Sequence, residues 1–303
     1  MKKSLIKNNL KEISKTRRRF ISILIMAFLG VGFYAGLTAS SPDMLDSLDS
    51  YTDNNKMYDI NVISTLGLTD DDVNAIKQID GIDEVYGLQT KDALSQINEK
   101  ENVCKIIEYN QNINCPTIVA GKMPENSNEC LLDKRYTITE DVNDLIGKKI
   151  TIENTDTNED NTPIINKKEL TITGIADTPI YISSERGNTS IGNGSVKYFI
   201  YVKDDVINLD YYTEICATVK DARKYVTNSE EYLNKVNPVI SKVESIKKER
   251  EEARYNSLVD DANKKINDAQ KEFDSKKTDV EKELEDAKNK IDKASKQITS
   301  SES

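Results

Sequence analysis

The chain has 303 residues, a formal net charge of −10, and neither histidine nor tryptophan. Without histidine, a Ser-His-Asp or Cys-His hydrolase and His-ligated zinc or haem are excluded. The acidic balance and sparse aromatic residues argue against nucleic acid as a partner.

Residues 1–19 carry Lys2, Lys3, Lys7, Lys11, Lys15, Arg17, Arg18 and Arg19 against the single acid Glu12. Within them Leu5, Ile6, Leu10 and Ile13 fall at helical spacing, which predicts an amphipathic segment on the inner membrane face or against a cytoplasmic partner. Residues 20–40 are the membrane candidate, with no charge from Phe20 to Ala39. Twenty helical residues span roughly 30 Å, the thickness of a bilayer core. Gly32 and Gly36 form a GxxxG spacing, read either as a packing site for another membrane helix or as ordinary span composition. Asp43, Asp46, Asp49, Asp53 and Asp59 follow the span. The basic flank then stays in the cytoplasm and the bulk of the chain lies outside, in a cell-membrane protein. A cleaved signal peptide is the competing reading, but its apolar region would be too long and Leu37 is ill-suited to a cleavage site.

Residues 41–225 are expected to form an extracellular α+β domain. MYDINVIS (57–64) alternates like a strand, and 68–79 reads as a helix capped by Thr69 and stopped by Gly81. An extended pattern then resumes, completing a β-α-β unit of ferredoxin-like kind. Asp70, Asp71 and Asp72 are accounted for by the helix dipole rather than by a cation. Further strands are expected at 103–109, 117–121, 129–133, 148–154, 169–176, 196–202 and 213–220, with Thr155–Pro163 as a polar hairpin end. Cys104, Cys115, Cys130 and Cys216 allow three disulfide pairings or none, and no CxxC spacing suggests zinc or redox chemistry.

Three stretches carry a resemblance: LTDDDVNAIKQIDGIDEVYG (68–87), AGKMPENSNECLLDK (120–134) and TGIADTPIYISSERGNTSIGNGSVKYFIYV (173–202). Together with the basic leader and the apolar span, they resemble the N-terminal part of FtsX/MacB-type ABC transporter permeases of low-GC Gram-positive bacteria. Gly121 and Pro124 suit a turn, and RGNTSIGNG (186–194) suits a tight reversal between strands. The resemblance implies a permease subunit with no catalytic residue and no cofactor. Its partners would be a cytoplasmic ABC ATPase and further permease helices or a second permease. The chain itself has no GxxxxGK[ST] phosphate loop.

Residues 226–303 are expected to be a coiled-coil helix, with neither glycine nor proline after Pro238. Val259, Ala262, Ile266, Ala269 and Phe273 step by threes and fours, as do Val280, Leu284, Ala287, Ile291, Ala294 and Ile298. Two successive steps of four through Lys277 mark a stutter. Acid-first pairs such as Asp260–Lys264, Glu272–Lys276 and Asp286–Lys290 brace the outer face. One helix over 239–298 would be roughly 90 Å long. Resembling permeases place such a helix in a coiled-coil hairpin before further spans, so the chain reads as an N-terminal piece of one. The alternative is a membrane-anchored adaptor or scaffold that oligomerises through the tail. An enzyme is disfavoured, since the SxxK spacings Ser4–Lys7 and Ser245–Lys248 lie in the leader and the tail, away from any enclosed site.

Overall fold

The structure, a computed structural model, describes residues 2–138, 140–153, 156–158 and 161–301. It divides into two compact units, residues 1–242 and 243–303.

The first unit begins with helix α1 (Lys2–Lys15) and helix α2 (Arg17–Asn54). The side chains of Leu5 and Leu10 lie outside the described residues; Ile6 is exposed. α2 contains the apolar stretch and is, among the described residues, the one helix long and apolar enough to cross a membrane. It does not stop near residue 40 but continues through Pro42 to Asn54. Proline removes one hydrogen bond to the preceding turn, but no glycine follows Gly36 in the helix, and hydrogen bonds described below hold its last turns. Lys56, with φ of 50°, ends it.

Next come strand β1 (Ile60–Leu68), helix α3 (Asp70–Lys77) and strand β2 (Ile82–Leu88). β1 and β2 flank the last strand, β10 (Tyr212–Val219), which is antiparallel to both. The β-α-β unit is therefore split by a strand from the far end of the domain. α3 is capped as its sequence indicates: the Thr69 backbone N–H and hydroxyl both donate to Asp72 Oδ2, at 2.8 and 3.0 Å.

Between β2 and β10 lie the strands of a second sheet: β3 (Thr90–Ile97), β4 (Lys100–Glu108), β5 (Thr117–Gly121), β6 (Glu129–Asp133), β7 (Lys149–Glu153), β8 (Glu169–Asp177) and β9 (Tyr198–Val202), with the one-turn helix α4 (Val142–Leu145) between β6 and β7. Each strand expected from the sequence is present, with ends shifted by a few residues. The sheet order is β5-β8-β6-β9-β4-β3-β7, and β7 also pairs with the first part of β8. That extra pairing closes six strands into a barrel and leaves β5 along the outer half of β8. Closure pairs the β7 edge, and β5 remains the open edge of the sheet.

β9 shows why its sequence is wholly apolar or aromatic. Tyr198, Ile200 and Val202 join the core with Ile106, Leu132 and Ile172, while Phe199 and Tyr201 pack on the opposite face with Ile107 and Leu131. The buried phenols are satisfied: Tyr198 OH lies 2.7 Å from Ser95 Oγ and Tyr201 OH 2.6 Å from Thr178 Oγ1. Gly121, at φ 76°, crosses so near β8 that a Cβ would lie 2.3 Å from the Thr173 carbonyl oxygen. Residues 186–194 do turn back on themselves, with Val196 N–H bonded to Gly187 O at 3.0 Å. The Thr155–Pro163 loop lies partly outside the described residues; its described part pairs Thr157 with Pro163.

Helix α5 (Glu230–Ser301) starts earlier than the last proline suggests, so Pro238 sits inside it. Ser229 is the start signal: its hydroxyl accepts from the Tyr232 N–H at 3.1 Å, and Glu230 and Glu231 fill the first turn. Val236 and Val239 of the early turns are buried, with Val239 against Gly81. In the second unit Glu272 and Lys276 close to 2.5 Å, and base-first pairs such as Lys277–Glu281 sit at 3.9 Å.

Candidate functional site: the junction at the end of the apolar helix

Chain segments far apart in sequence converge where α2 ends. Asp49 Oδ1 accepts from the Thr227 backbone N–H at 2.6 Å and from its hydroxyl at 2.9 Å. The Thr52 and Thr227 hydroxyls lie 3.0 Å apart. These contacts tie the last turns of α2 to the segment that launches α5. One turn on, the carbonyls of Asn55 and Lys56 accept from Cys115 and Asn114 at 2.8 and 2.9 Å, and Thr117 donates to Asn55 Oδ1 at 2.6 Å. The approach to β5 is thereby fixed to the same helix end. Asp59 closes the ring: Oδ2 accepts from Val219 N–H at 2.7 Å and Oδ1 from the Tyr232 phenol at 2.6 Å. Thr52 and Asn55 are buried.

Burial dominates the electrostatics here. It raises the carboxyl pKa of Asp53, with the charges of Asp49 and Asp59 adding and Arg223 opposing. It raises that of Asp59 as well, against the hydrogen bonds from Tyr232 and Val219. Burial also raises the Tyr232 phenol, helped by its bond to Asp59, and pushes Tyr51 up to about 12. Charged groups that are dehydrated yet hydrogen-bonded favour a single arrangement of the segments they join. The junction clamps the end of α2 to two strands and to the first turns of α5.

A second fixed point lies beside β6. Asp133 is fully buried and receives Arg186 through two bonds, Nε to Oδ2 at 2.6 Å and Nη2 to Oδ1 at 3.1 Å. The guanidinium also donates to Ser183 O at 2.7 Å and stands 5.4 Å from the ring centres of both Tyr181 and Phe199. Burial works against its charge, but Asp133 outweighs that and raises its pKa. The third point is Gln89, the single residue between β2 and β3, whose side-chain amide donates to Leu209 O at 2.7 Å. At the barrel rim a cleft of about 340 Å³ is lined by charges already closed on each other, Lys91–Asp156 at 2.6 Å and Lys105–Asp92 at 2.8 Å.

The residues singled out from sequence fall elsewhere. Open space surrounds Gly32 and Gly36 on α2. Cys104 and Cys130 are buried in the barrel core, on strands separated by β9, and Cys216 is buried in the small sheet; Cys115 is half-buried and none of the four is bonded to another. Burial pushes the Cys104 thiol up to about 12 and raises Cys130 and Cys216 as well. Asp70 accepts from Tyr212 OH at 2.9 Å. Among the described residues no group of three or more acids or cysteines is arranged to hold a metal ion. Sequence reasoning missed the junction. Asp49, Asp53 and Asp59 stood out only as charges flanking the span, and Ser229 with its following acids was the unused signal that α5 begins beside them.

No family model matches the chain, and no curated protein does. Among solved structures it is similar to the extracellular domain of the noncanonical ABC-type transporter YknZ from Gram-positive bacteria, at 10% identity and a TM-score of 0.35, covering 57% of this chain and 80% of that one. It is also similar to the periplasmic region of MacB from Actinobacillus actinomycetemcomitans, at 10% identity and a TM-score of 0.33, covering 63% and 84%.

Proposed function

We propose that this chain is a permease subunit, or the N-terminal part of one, of an FtsX/MacB-type ABC transporter. In this reading α2 crosses the cell membrane with α1 in the cytoplasm, and the β-rich unit and α5 lie outside. A separate cytoplasmic ATPase hydrolyses ATP and moves α2, and the junction passes that movement on, for export or for force transmission. Gly32 and Gly36 would receive a further membrane helix. The observation that supports this reading most is that α2 runs without a break from its apolar stretch into Asp49 and Thr52, which hold the base of α5. A flexible linker would dissipate movement there; a helix bonded at both partners transmits it. The basic leader, the acids after the span and the three resembling stretches support the rest.

The test is reconstitution of the full chain in lipid nanodiscs with the phosphate-loop ATPase that this reading expects to be encoded beside it. The expected result is a stable complex whose ATP turnover changes when Asp49→Ala loosens the junction, while complex formation is retained. Absence of a complex, or turnover indifferent to Asp49→Ala, overturns the coupling.

A further inference from the structure

The reversal before β9 ends in a tight turn. Thr189 N–H bonds to Gly194 O at 3.2 Å and Gly194 N–H to Ile191 O at 3.1 Å, with Gly192 at φ 56°. Gly192 sits so near β4 that a Cβ would lie 2.6 Å from a Val103 methyl. Thr189, Ser190 and Ile191 form part of the wall of the cleft that Lys91 and Asp92 also line. Asn193, at the tip of the turn, is exposed.

An asparagine carboxamide is open to attack by the backbone nitrogen of the next residue, which closes a five-membered ring. A side chain on that next residue obstructs the approach, and glycine has none. Of the twelve glycines, Gly194 alone follows an asparagine and Gly81 alone follows an aspartate. The space that a Cβ would take at Gly194 is open: beyond its chain neighbours, the nearest atom is Thr189 O at 3.8 Å. Asn193 Oδ1 accepts from the Ser195 N–H at 3.2 Å. That bond folds the carboxamide back over its own backbone, and it sets a donor at the oxygen where negative charge develops during attack. Asp80, before Gly81, is placed differently. Lys242 Nζ lies 3.0 Å from its Oδ2, and this bond holds its carboxyl below the usual range. An ionised carboxylate resists a nitrogen nucleophile.

We propose that Asn193–Gly194 is a site of hydrolytic self-modification, at which the protein converts its own asparagine to aspartate and isoaspartate. Hydroxide takes the Gly194 amide proton away from Ile191 O, and the freed nitrogen bonds to Asn193 Cγ. The Cγ–Nδ2 bond then breaks and ammonia leaves, its third hydrogen drawn from water. Water next opens the succinimide at one of its two carbonyls. Opening at Cγ leaves aspartate; opening at the backbone carbonyl leaves isoaspartate, with one extra main-chain carbon. The balance is one water consumed and one ammonia released.

Either product puts a carboxylate on the reversal. Isoaspartate also lengthens the turn that Gly194 N–H and Ile191 O close, so the reversal loosens from β4 and the cleft wall with it. This inference rests on the turn alone and stands whether or not the chain couples to an ATPase.

The test is incubation of the full chain in nanodiscs at neutral and at alkaline pH, followed by peptide mapping that separates aspartate from isoaspartate. Position 193 should lose its amide at least ~10-fold faster than any other asparagine, and faster at alkaline pH. Asn193→Gln, which would need a six-membered ring, should show no conversion there. Loss at 193 no faster than elsewhere, or seen only once urea unfolds the chain, overturns the site. In the converted protein, amide exchange at residues 187–197 should quicken at least ~10-fold. Asn193→Asp carries the charge without the extra carbon and should quicken it less. Exchange in the converted protein equal to that of wild type overturns the loosening.

Discussion

Removing Arg186 should damage the protein far more than removing the whole ion pair. Asp133 is fully buried, and its carboxylate accepts from Arg186 at 2.6 and 3.1 Å and from the Arg135 N–H at 2.9 Å. In Arg186→Met the side chain keeps its length against Tyr181 and Phe199 but leaves a buried carboxylate with one backbone donor. Breaking such a pair costs about 3–5 kcal/mol, to which the lost cation–π contact adds up to about 1 kcal/mol. For a unit of this size that lowers the melting temperature by roughly 10 °C. The double variant Arg186→Met, Asp133→Leu removes both charges and should recover most of the loss. With no tryptophan in the chain, near-ultraviolet circular dichroism of the tyrosines reads the transition, because Tyr181, Tyr198 and Tyr201 lie in or beside the barrel. A single variant costing under about 1 kcal/mol, or a double variant no better than the single, would refute the account of this pair.

Asp49→Ala should free Thr227, and loss of its two bonds is worth roughly 1–2 kcal/mol locally; amide exchange at residues 226–232 should quicken while exchange in β9 stays the same. Glu214 has its carboxyl pKa raised by burial, so the folded state binds a proton that the unfolded chain has released. Its contribution is complete below the ordinary carboxylate pKa and is lost as pH rises through the raised one. The melting temperature of wild type relative to Glu214→Gln should therefore fall on going from pH 4 to pH 7, and a gap that widens in wild type's favour would contradict the sign. Under native conditions a maleimide should label Cys115 first, with Cys104, Cys130 and Cys216 reacting only on unfolding; rapid labelling of all four would show that the barrel core is not packed as described.

Much of the architecture was legible in the sequence, for local reasons. Each expected strand carried its own alternation or apolar run, as in TIVAG and ECLLD, and those two have the bounds read from the sequence. Thr69, three acids and Gly81 delimited α3 without reference to the rest of the chain. The junction was not legible, because Asp49, Thr117 and Thr227 are ordinary polar residues until the fold brings them together. The same holds for Arg186 and Asp133, which lie far apart in sequence and meet only where the reversal before β9 packs beside β6.

Local propensity and period therefore determined which residues form helices and strands, where the apolar span lies, and how the α5 seam is ordered, since each depends on neighbours a few positions away. Only the tertiary structure decided that β10 splits the first β-α-β unit, that β7 closes the barrel on β8, and that α2 runs on to grip the base of α5. Those outcomes depend on long-range pairing, where hydrogen-bond partners are chosen by the burial of the whole core and no short stretch of sequence carries the information.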